Sequence, residues 1–132
     1  MSDTLKDKKI LLVDDDNDIL TALQAAFEPT GAVVETSANG NKAVELAEKT
    51  QPDLVVLDMM LPGRSGFLVL EKIKARKPKG TKPFVIMITG NQGARHKAYA
   101  ESLGVSEYFH KPVKMDKLIA AAEKLLGTPS PS

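Results

Sequence analysis

The sequence predicts an α/β fold in which a five-stranded parallel sheet carries helices on both faces. Five short apolar runs alternate with five stretches of helical periodicity, and such alternation is typical of parallel strands joined by right-handed crossovers. The first, third and fourth runs are continuously apolar, as expected for central strands buried on both faces. The alternative, an α+β fold with hairpins, is disfavoured because no two-residue hairpin turn separates neighbouring runs.

Each predicted strand is rich in Val, Ile or aromatic residues and is bounded by Pro, Gly, Asp or Asn. The five strands are predicted at residues 9–13, 32–37, 54–57, 84–89 and 107–110. Ligands of an open parallel sheet bind beyond the carboxyl ends of its strands. The residues at these ends are therefore the first candidates for a functional site.

The helices are predicted from apolar residues that recur on one helical face. The predicted stretches are 19–27, 43–47, 67–73, roughly 92–103, and 118–126. Pro29 and Gly31 end the first helix, the third ends before Pro78, and the fourth, which has the weakest pattern, ends at Gly104.

Length and composition limit the class of protein. The 132 residues suit one domain, and the net charge of +1 gives no global attraction to nucleic acid or to an anionic membrane. The absence of cysteine excludes disulfides, zinc thiolates and thiol nucleophiles. The charged N-terminus lacks the apolar segment of a signal peptide, and no apolar run could span a bilayer. We therefore expect a cytoplasmic protein without direct nucleic-acid or membrane contact.

Polar residues end or follow four of the predicted strands. Asp14 and Asp15 follow the first strand, Asp58 follows the third, Thr89 ends the fourth and Lys111 follows the fifth. Parallel topology brings these side chains to one edge of the sheet. Carboxylates without neighbouring His or Cys favour a hard divalent cation such as Mg²⁺, which would also offset the repulsion between adjacent aspartates.

The third aspartate of the triplet, Asp16, has a different predicted role. It lies where the first helix begins. An aspartate there can accept hydrogen bonds from the free backbone N–H groups of the first turn. We therefore expect Asp16 to cap the helix rather than to bind a metal ion.

Four motifs occur in the order ILLVDDD, VVLDMMLPGRSG, VIMITG and YFHKP, and together they resemble the receiver domain of two-component response regulators. The resemblance covers about residues 8–127 and implies a flavodoxin-like sheet with strand order 2-1-3-4-5. We expect residues 1–7 to form an N-terminal extension and residues 128–132 to form a flexible tail.

The resemblance implies a role for each acidic residue. Asp58 would accept a phosphoryl group from a phosphohistidine on a sensor histidine kinase or a histidine phosphotransfer protein. Asp14, Asp15, Asp58 and the main-chain carbonyl of Met60 would hold Mg²⁺. The chain would then be a bacterial signalling domain rather than an enzyme, with only self-phosphotransfer and slow autodephosphorylation.

The resemblance also implies how the signal would leave the site. Thr89 and Lys111 would contact the phosphoryl oxygens, and a cis bond between Lys111 and Pro112 would aim the lysine. Thr89 would then move and Tyr108 would turn from outward to inward. The face formed by the fourth helix, fifth strand and fifth helix would bind a partner or a second copy of the chain.

Three rival functions differ in what they require of the sequence. A haloacid-dehalogenase-like phosphatase needs a second aspartate two residues after the nucleophile, where this chain has Met60. A flavin-binding module needs a hydroxyl-rich loop after the first strand, where this chain has three aspartates. A degenerate receiver that signals by binding alone would lack site residues, whereas this chain has the full set. A phosphate relay or sink would be a receiver without switch output.

Some residues depart from the family pattern. The family often has Glu at the position of Asp16 and Phe at that of Val113. Met60 and Asn91, two residues beyond Asp58 and Thr89, bear on the lifetime of the acyl phosphate, because Met60 cannot hydrogen-bond an attacking water.

The remaining candidates have ordinary explanations. The basic run at 72–82 lacks interleaved aromatic residues and suits a helix C-terminus. His96 is expected to be solvated, and His110 to be a surface or packing residue. Tyr99 could serve packing or an interface.

Overall fold

The predicted strands and helices are all present in the computed structural model, which describes residues 4–61, 65–75, 81–90 and 94–126. They are β1 (Lys9–Val13), α1 (Asn17–Phe27), β2 (Val33–Ser37), α2 (Gly40–Thr50), β3 (Leu54–Asp58), α3 (Gly66–Lys74), β4 (Phe84–Thr89), α4 (Ala94–Ser102), β5 (Glu107–His110) and α5 (Met115–Leu125). β3 is one residue longer than predicted and ends in Asp58. α5 begins at Met115, earlier than its predicted first apolar residue.

The strands form one sheet in the order β2-β1-β3-β4-β5, and every neighbouring pair is parallel. This confirms the predicted flavodoxin-like order. The register aligns Val13 with Leu57 and Asp58 with Ile88. The carboxyl ends of β1, β3 and β4 therefore lie side by side, at the point where the strand order reverses.

Alternate residues of the central strands face two separate apolar layers. One layer packs against α1 and α5 and contains Ile10, Leu12, Leu54, Val56, Ile86 and Ile88. The other packs against α2, α3 and Ala100 of α4 and contains Leu11, Val13, Val55, Leu57, Val85 and Met87. Within the described residues, no helix has both the length and the apolar character needed to cross a membrane.

The segment before β1 packs with the rest of the chain. Leu5 is fully buried in the layer against α1 and α5, and its backbone N–H donates to the Thr30 carbonyl at 2.9 Å. The Thr4 hydroxyl donates to the Glu123 carboxylate at 2.6 Å. The packed part of the chain thus begins before residue 8, where the resemblance begins.

The connections between elements bear on three expectations. The predicted cis bond between Lys111 and Pro112 is confirmed, and the bond between Lys82 and Pro83, for which no cis isomer was predicted, is cis as well. The expected tail at 128–132 and the side chain of Asn91 lie outside the described residues.

Candidate functional site

The carboxyl edge of the sheet collects side chains from four strand ends. β1 ends one residue before Asp14, β3 and β4 end in Asp58 and Thr89, and β5 ends one residue before Lys111. The backbone N–H of Lys111 donates to the Thr89 carbonyl at 2.7 Å, which holds the start of the β5–α5 connection against β4. The parallel sheet therefore gathers these four residues at one edge.

Three carboxylates form a cluster at this edge. Asp14 and Asp58 are 1% and 4% exposed, and Asp15 is exposed to solvent. One carboxylate oxygen from each residue lies within 4.8 Å of the others. Oxygen donors at this spacing suit a hard divalent cation that keeps some of its water. The cluster could therefore hold a metal ion.

Lys111 contacts both buried carboxylates. Its Nζ lies 3.3 Å from Oδ2 of Asp14 and 3.4 Å from Oδ1 of Asp58. Desolvation acts to lower the pKa of Lys111, but the charges of Asp58 and Asp14 outweigh it and raise that pKa above its ordinary value. The ammonium therefore stays charged at neutral pH and offsets the repulsion between the two carboxylates.

The environment of Asp58 favours its protonated form. Burial raises the pKa of Asp58 from 3.8 to about 6, and the negative charge of Asp14 adds to this increase. Lys111 and the backbone N–H of Met60, which lies 3.4 Å from Oδ1 of Asp58, act in the opposite direction. Above about pH 6 the Asp58 carboxylate is ionised and can act as a nucleophile.

The other aspartates of the triplet have distinct contacts. Asp16 caps α1, because its carboxylate accepts from the backbone N–H groups of Asp18 and Ile19 at 2.9 and 3.3 Å. The predicted cap is therefore confirmed. Oδ1 of Asp14 accepts a hydrogen bond from the backbone N–H of Asp16 at 2.9 Å, and its other oxygen, Oδ2, faces Lys111.

Thr89 and Tyr108 lie on the side of the sheet that packs against α3 and α4. Thr89 is fully buried, and its hydroxyl donates to the Met59 sulfur at 3.6 Å. Tyr108 packs against the same layer with its hydroxyl oxygen buried. Burial raises the pKa of Tyr108, and hydrogen bonding with Thr89 opposes this increase. Tyr108 thus has its inward position here, and a change from an outward position stays a prediction.

One residue near Asp58, Gly66, was not singled out from the sequence. A Cβ on Gly66 would overlap the Asp58 carbonyl oxygen and would lie 2.6 Å from the Met59 Cα. The Gly66 N–H donates to the Met59 carbonyl at 2.8 Å. The signal was available, because a glycine follows the good helix cap Ser65 where a side chain would have favoured the helix.

The structure changes the expectation for one histidine. His96 is half-buried rather than solvated, because its ring stacks on Phe67 of α3 with centroids 5.9 Å apart. Tyr99 makes an edge contact with Phe67 at 5.0 Å and is half exposed. His110 is exposed and makes an edge contact with Tyr108 at 5.6 Å.

The basic run at 72–82 is described only in part. Lys74 is buried, and its ammonium donates to the carbonyl oxygens of Thr81 and Pro83 at 2.7 and 3.2 Å. Lys82 forms an ion pair with Asp53 at 2.8 Å. These two lysines serve contacts at the opposite end of the sheet from the acidic cluster.

The fold and the acidic edge define a doubly wound α/β domain with a candidate metal site. A family model for the response regulator receiver domain matches residues 10–123. The chain therefore belongs to the response regulator receiver domain family, whose members are regulatory domains of two-component systems.

One curated relative is the alkaline phosphatase synthesis transcriptional regulatory protein PhoP of Bacillus subtilis (strain 168). The two sequences are 34% identical over 119 residues, which is 90% of this chain. The match covers 48% of PhoP, so this chain spans about half the length of that relative.

Solved structures agree with the fold. A CheY-like response regulator receiver domain protein from Methanospirillum hungatei JF-1 is 30% identical with a TM-score of 0.84, covering 92% of this chain and 94% of that chain. The BeF3-activated N-terminal receiver domain of Klebsiella pneumoniae RstA is 25% identical with a TM-score of 0.81. That match covers 90% of this chain and 98% of the RstA chain.

Proposed function

We propose that this chain is a phosphoacceptor signalling domain in which Asp58 accepts a phosphoryl group from a phosphohistidine. The donor would be a sensor histidine kinase or a histidine phosphotransfer protein. The proposal is carried by the contact of one ammonium, Lys111, with two buried carboxylates, Asp14 and Asp58. Burying charged groups has a desolvation cost that opposes folding, so this grouping of three charges supports a functional role.

The residues at the edge suit phosphoryl transfer, which depends on positioning and charge neutralisation. A carboxylate oxygen of Asp58 forms the new O–P bond, in line with the P–N bond that breaks, and the electron pair of that bond returns to the imidazole nitrogen. Lys111 pairs with the transferred phosphoryl oxygens, and Thr89 donates a neutral hydrogen bond. Asp58 needs no general base because it is ionised at neutral pH.

The acidic cluster suits Mg²⁺. Asp14, Asp15, Asp58 and the main-chain carbonyl of Met60 would hold it. The three carboxylates can reach one ion, and none of the clustered residues offers nitrogen or sulfur. When bound, Mg²⁺ supplies positive charge beside the acids and the phosphoryl oxygens.

The signal would pass from Thr89 to Tyr108. A phosphoryl oxygen is a stronger acceptor than the Met59 sulfur that Thr89 now contacts. Movement of the Thr89 hydroxyl toward the phosphoryl group would favour the inward Tyr108. The face formed by α4, β5 and α5 would then change, and a partner or a second copy of the chain would bind there. Phosphate can shift this equilibrium only through different affinities for the two states.

Two alternative functions differ from this proposal in the residue they need at position 60 or in the movement of Tyr108. A haloacid-dehalogenase-like phosphatase needs an acid at the position of Met60, whose exposed side chain carries no titratable group. A relay or sink receiver would accept the phosphoryl group without moving Tyr108.

The test is the intact mass of the protein after incubation with acetyl phosphate. We expect one added phosphoryl group with Mg²⁺, none without it, and none in Asp58→Asn. Asp16→Asn is the matched control, because asparagine also caps helices, and it should be labelled like the original chain. Equal labelling of Asp58→Asn would overturn the proposal, and steady hydrolysis of phosphate monoesters would favour the phosphatase.

The switch is tested separately with beryllofluoride as a phosphoryl mimic. Amide shifts of residues 90–115 should change when beryllofluoride and Mg²⁺ are added. Changes confined to the loops around Asp15, Asp58 and Lys111 would favour a relay or sink.

A further inference from the structure

Three side chains share one face of the sheet at the ends of β4 and β5. The register pairs Thr89 with His110 and Met87 with Tyr108. Residues two apart on a strand face the same side, and so do paired residues of parallel strands. Thr89, Tyr108 and His110 therefore form a small group beside the phosphoacceptor edge.

The hydroxyl end of Tyr108 is poorly suited to hold the ring inward. Within the described residues, the buried hydroxyl oxygen lies near the Thr89 hydroxyl but makes no hydrogen bond of standard geometry. A buried polar group without a full partner opposes the state that buries it. Contacts of the ring, which packs against the apolar layer, therefore contribute to the inward position.

His110 makes an aromatic contact with that ring. The two ring centroids are 5.6 Å apart and the planes meet at 82°, an edge-to-face arrangement that is favourable beyond the area it buries. The backbone next to His110 is fixed, because Lys111 N–H donates to the Thr89 carbonyl. His110 itself is exposed, so it covers Tyr108 from the solvent side.

We propose that His110 is a positioning residue that holds Tyr108 inward before any phosphoryl group is present. This inference deepens the proposed switch, since it names the residue that sets the resting ratio of inward to outward Tyr108. His110 acts only through Tyr108 and touches no reacting atom. A residue that favours the inward state also favours any ligand that prefers that state.

The effect should be measurable in the unmodified protein. An aromatic pair of this kind corresponds to roughly a two- to tenfold ratio between two states. His110→Ala should lower the ratio of inward to outward Tyr108 by about that factor, and should weaken beryllofluoride binding by no more than the same factor. His110→Phe keeps an aromatic edge and should restore both quantities.

The experiment is NMR of tyrosine-labelled protein, with side-chain couplings that report the rotamer of Tyr108. Tyr99, the other tyrosine of the chain, serves as an internal reference. His96→Ala is the matched control, because it also removes an imidazole with a ring contact but lies on α4 against Phe67. All variants are measured at one fixed pH, with and without Mg²⁺ and beryllofluoride.

Each result has a defined meaning. A shifted Tyr108 rotamer in His110→Ala, with recovery in His110→Phe and no change in His96→Ala, supports the inference. An unchanged rotamer in His110→Ala, or a His110→Phe variant that behaves like His110→Ala, overturns it. If acetyl phosphate does not label Asp58 in the original chain, the proposed function is overturned instead. The comparison of Tyr108 rotamers without ligand would still be valid.

Discussion

At the scale of single residues, the carboxyl edge holds a charge arrangement that opposes folding. Asp58 is buried beside Asp14, and its raised pKa means that the folded state prefers the protonated form. Lys111 relieves only part of this preference. The ionised Asp58 that the proposed phosphoryl transfer needs is thus also a source of instability, as is common where function and stability compete.

Replacing Asp58 by Asn should therefore stabilise the metal-free protein at neutral pH. Since the folded pKa is about 6 against an ordinary 3.8, the contribution of Asp58 to stability is complete below pH 3.8 and is lost as the pH rises through 6. The pKa difference corresponds to at most about 3 kcal/mol, and lost pairing with Lys111 reduces the gain. Urea unfolding near pH 4 and near pH 8 measures it. A lower free energy of unfolding for Asp58→Asn near pH 8 would contradict the expectation.

Asp15 and Asp16 are neighbours with different expected effects on Mg²⁺. Asp15 belongs to the acidic cluster, whereas the carboxylate of Asp16 is occupied by two backbone N–H groups of α1. Asp15→Asn should weaken Mg²⁺ binding by roughly tenfold or more, and Asp16→Asn should change it little. Isothermal titration calorimetry with MgCl₂ compares the two variants. Similar losses of Mg²⁺ affinity in both would show that it is wrong to assign metal binding to Asp15 and helix capping to Asp16.

At the scale of elements, the first turn of α3 packs directly on the backbone that carries Asp58. Gly66 lets the helix approach so closely that a Cβ would meet the Asp58 carbonyl and the Met59 Cα. The position of Asp58 is therefore set by helix packing as well as by the sheet.

Gly66→Ala should both destabilise the protein and disturb the site. Backbone atoms must move to admit the methyl group, and overpacking of this kind costs about 1–3 kcal/mol. Gly90→Ala is the control, because a Cβ there has no neighbour within 4 Å. Urea unfolding and labelling by acetyl phosphate test both variants, and normal labelling of a destabilised Gly66→Ala would limit the glycine to a folding role.

Local features of the elements could be predicted from the sequence, whereas contacts between distant residues could not. The strands and the Asp16 cap were predictable because apolar runs and capping chemistry are local. α4 has a weak apolar pattern and buries Ala100, so its contact with α3 through His96 and Phe67 depends on ring stacking between distant residues. The glycine after the cap Ser65 was visible in the sequence, but its close contact with the backbone of Asp58 and Met59 was not.

At the scale of the whole molecule, the acidic site and the N-terminal segment lie at opposite ends of the sheet. The parallel order and the reversal between β1 and β3 followed from the alternation of strands and helices and from the family resemblance. Leu5 could not be predicted, because a single apolar residue among charged ones has no periodicity. Its burial depends on the space that α1 and α5 leave below the sheet.

Leu5 should therefore matter for stability and leave the chemistry unchanged. Leu5→Ala removes a fully buried side chain and should lower the free energy of unfolding by about 2–5 kcal/mol. Lys6→Ala, which changes an exposed neighbour, should stay within about 0.5 kcal/mol. Because Leu5 packs at the end of the sheet away from Asp58, the folded Leu5→Ala protein should bind Mg²⁺ and accept phosphate from acetyl phosphate at the original rate.

Urea unfolding tests the expected loss of stability, and intact mass tests the unchanged labelling. Unchanged stability in Leu5→Ala would mean that residues 4–7 do not belong to the folded unit. Failure of Leu5→Ala to accept a phosphoryl group, with its stability retained, would mean that the two ends of the sheet are coupled.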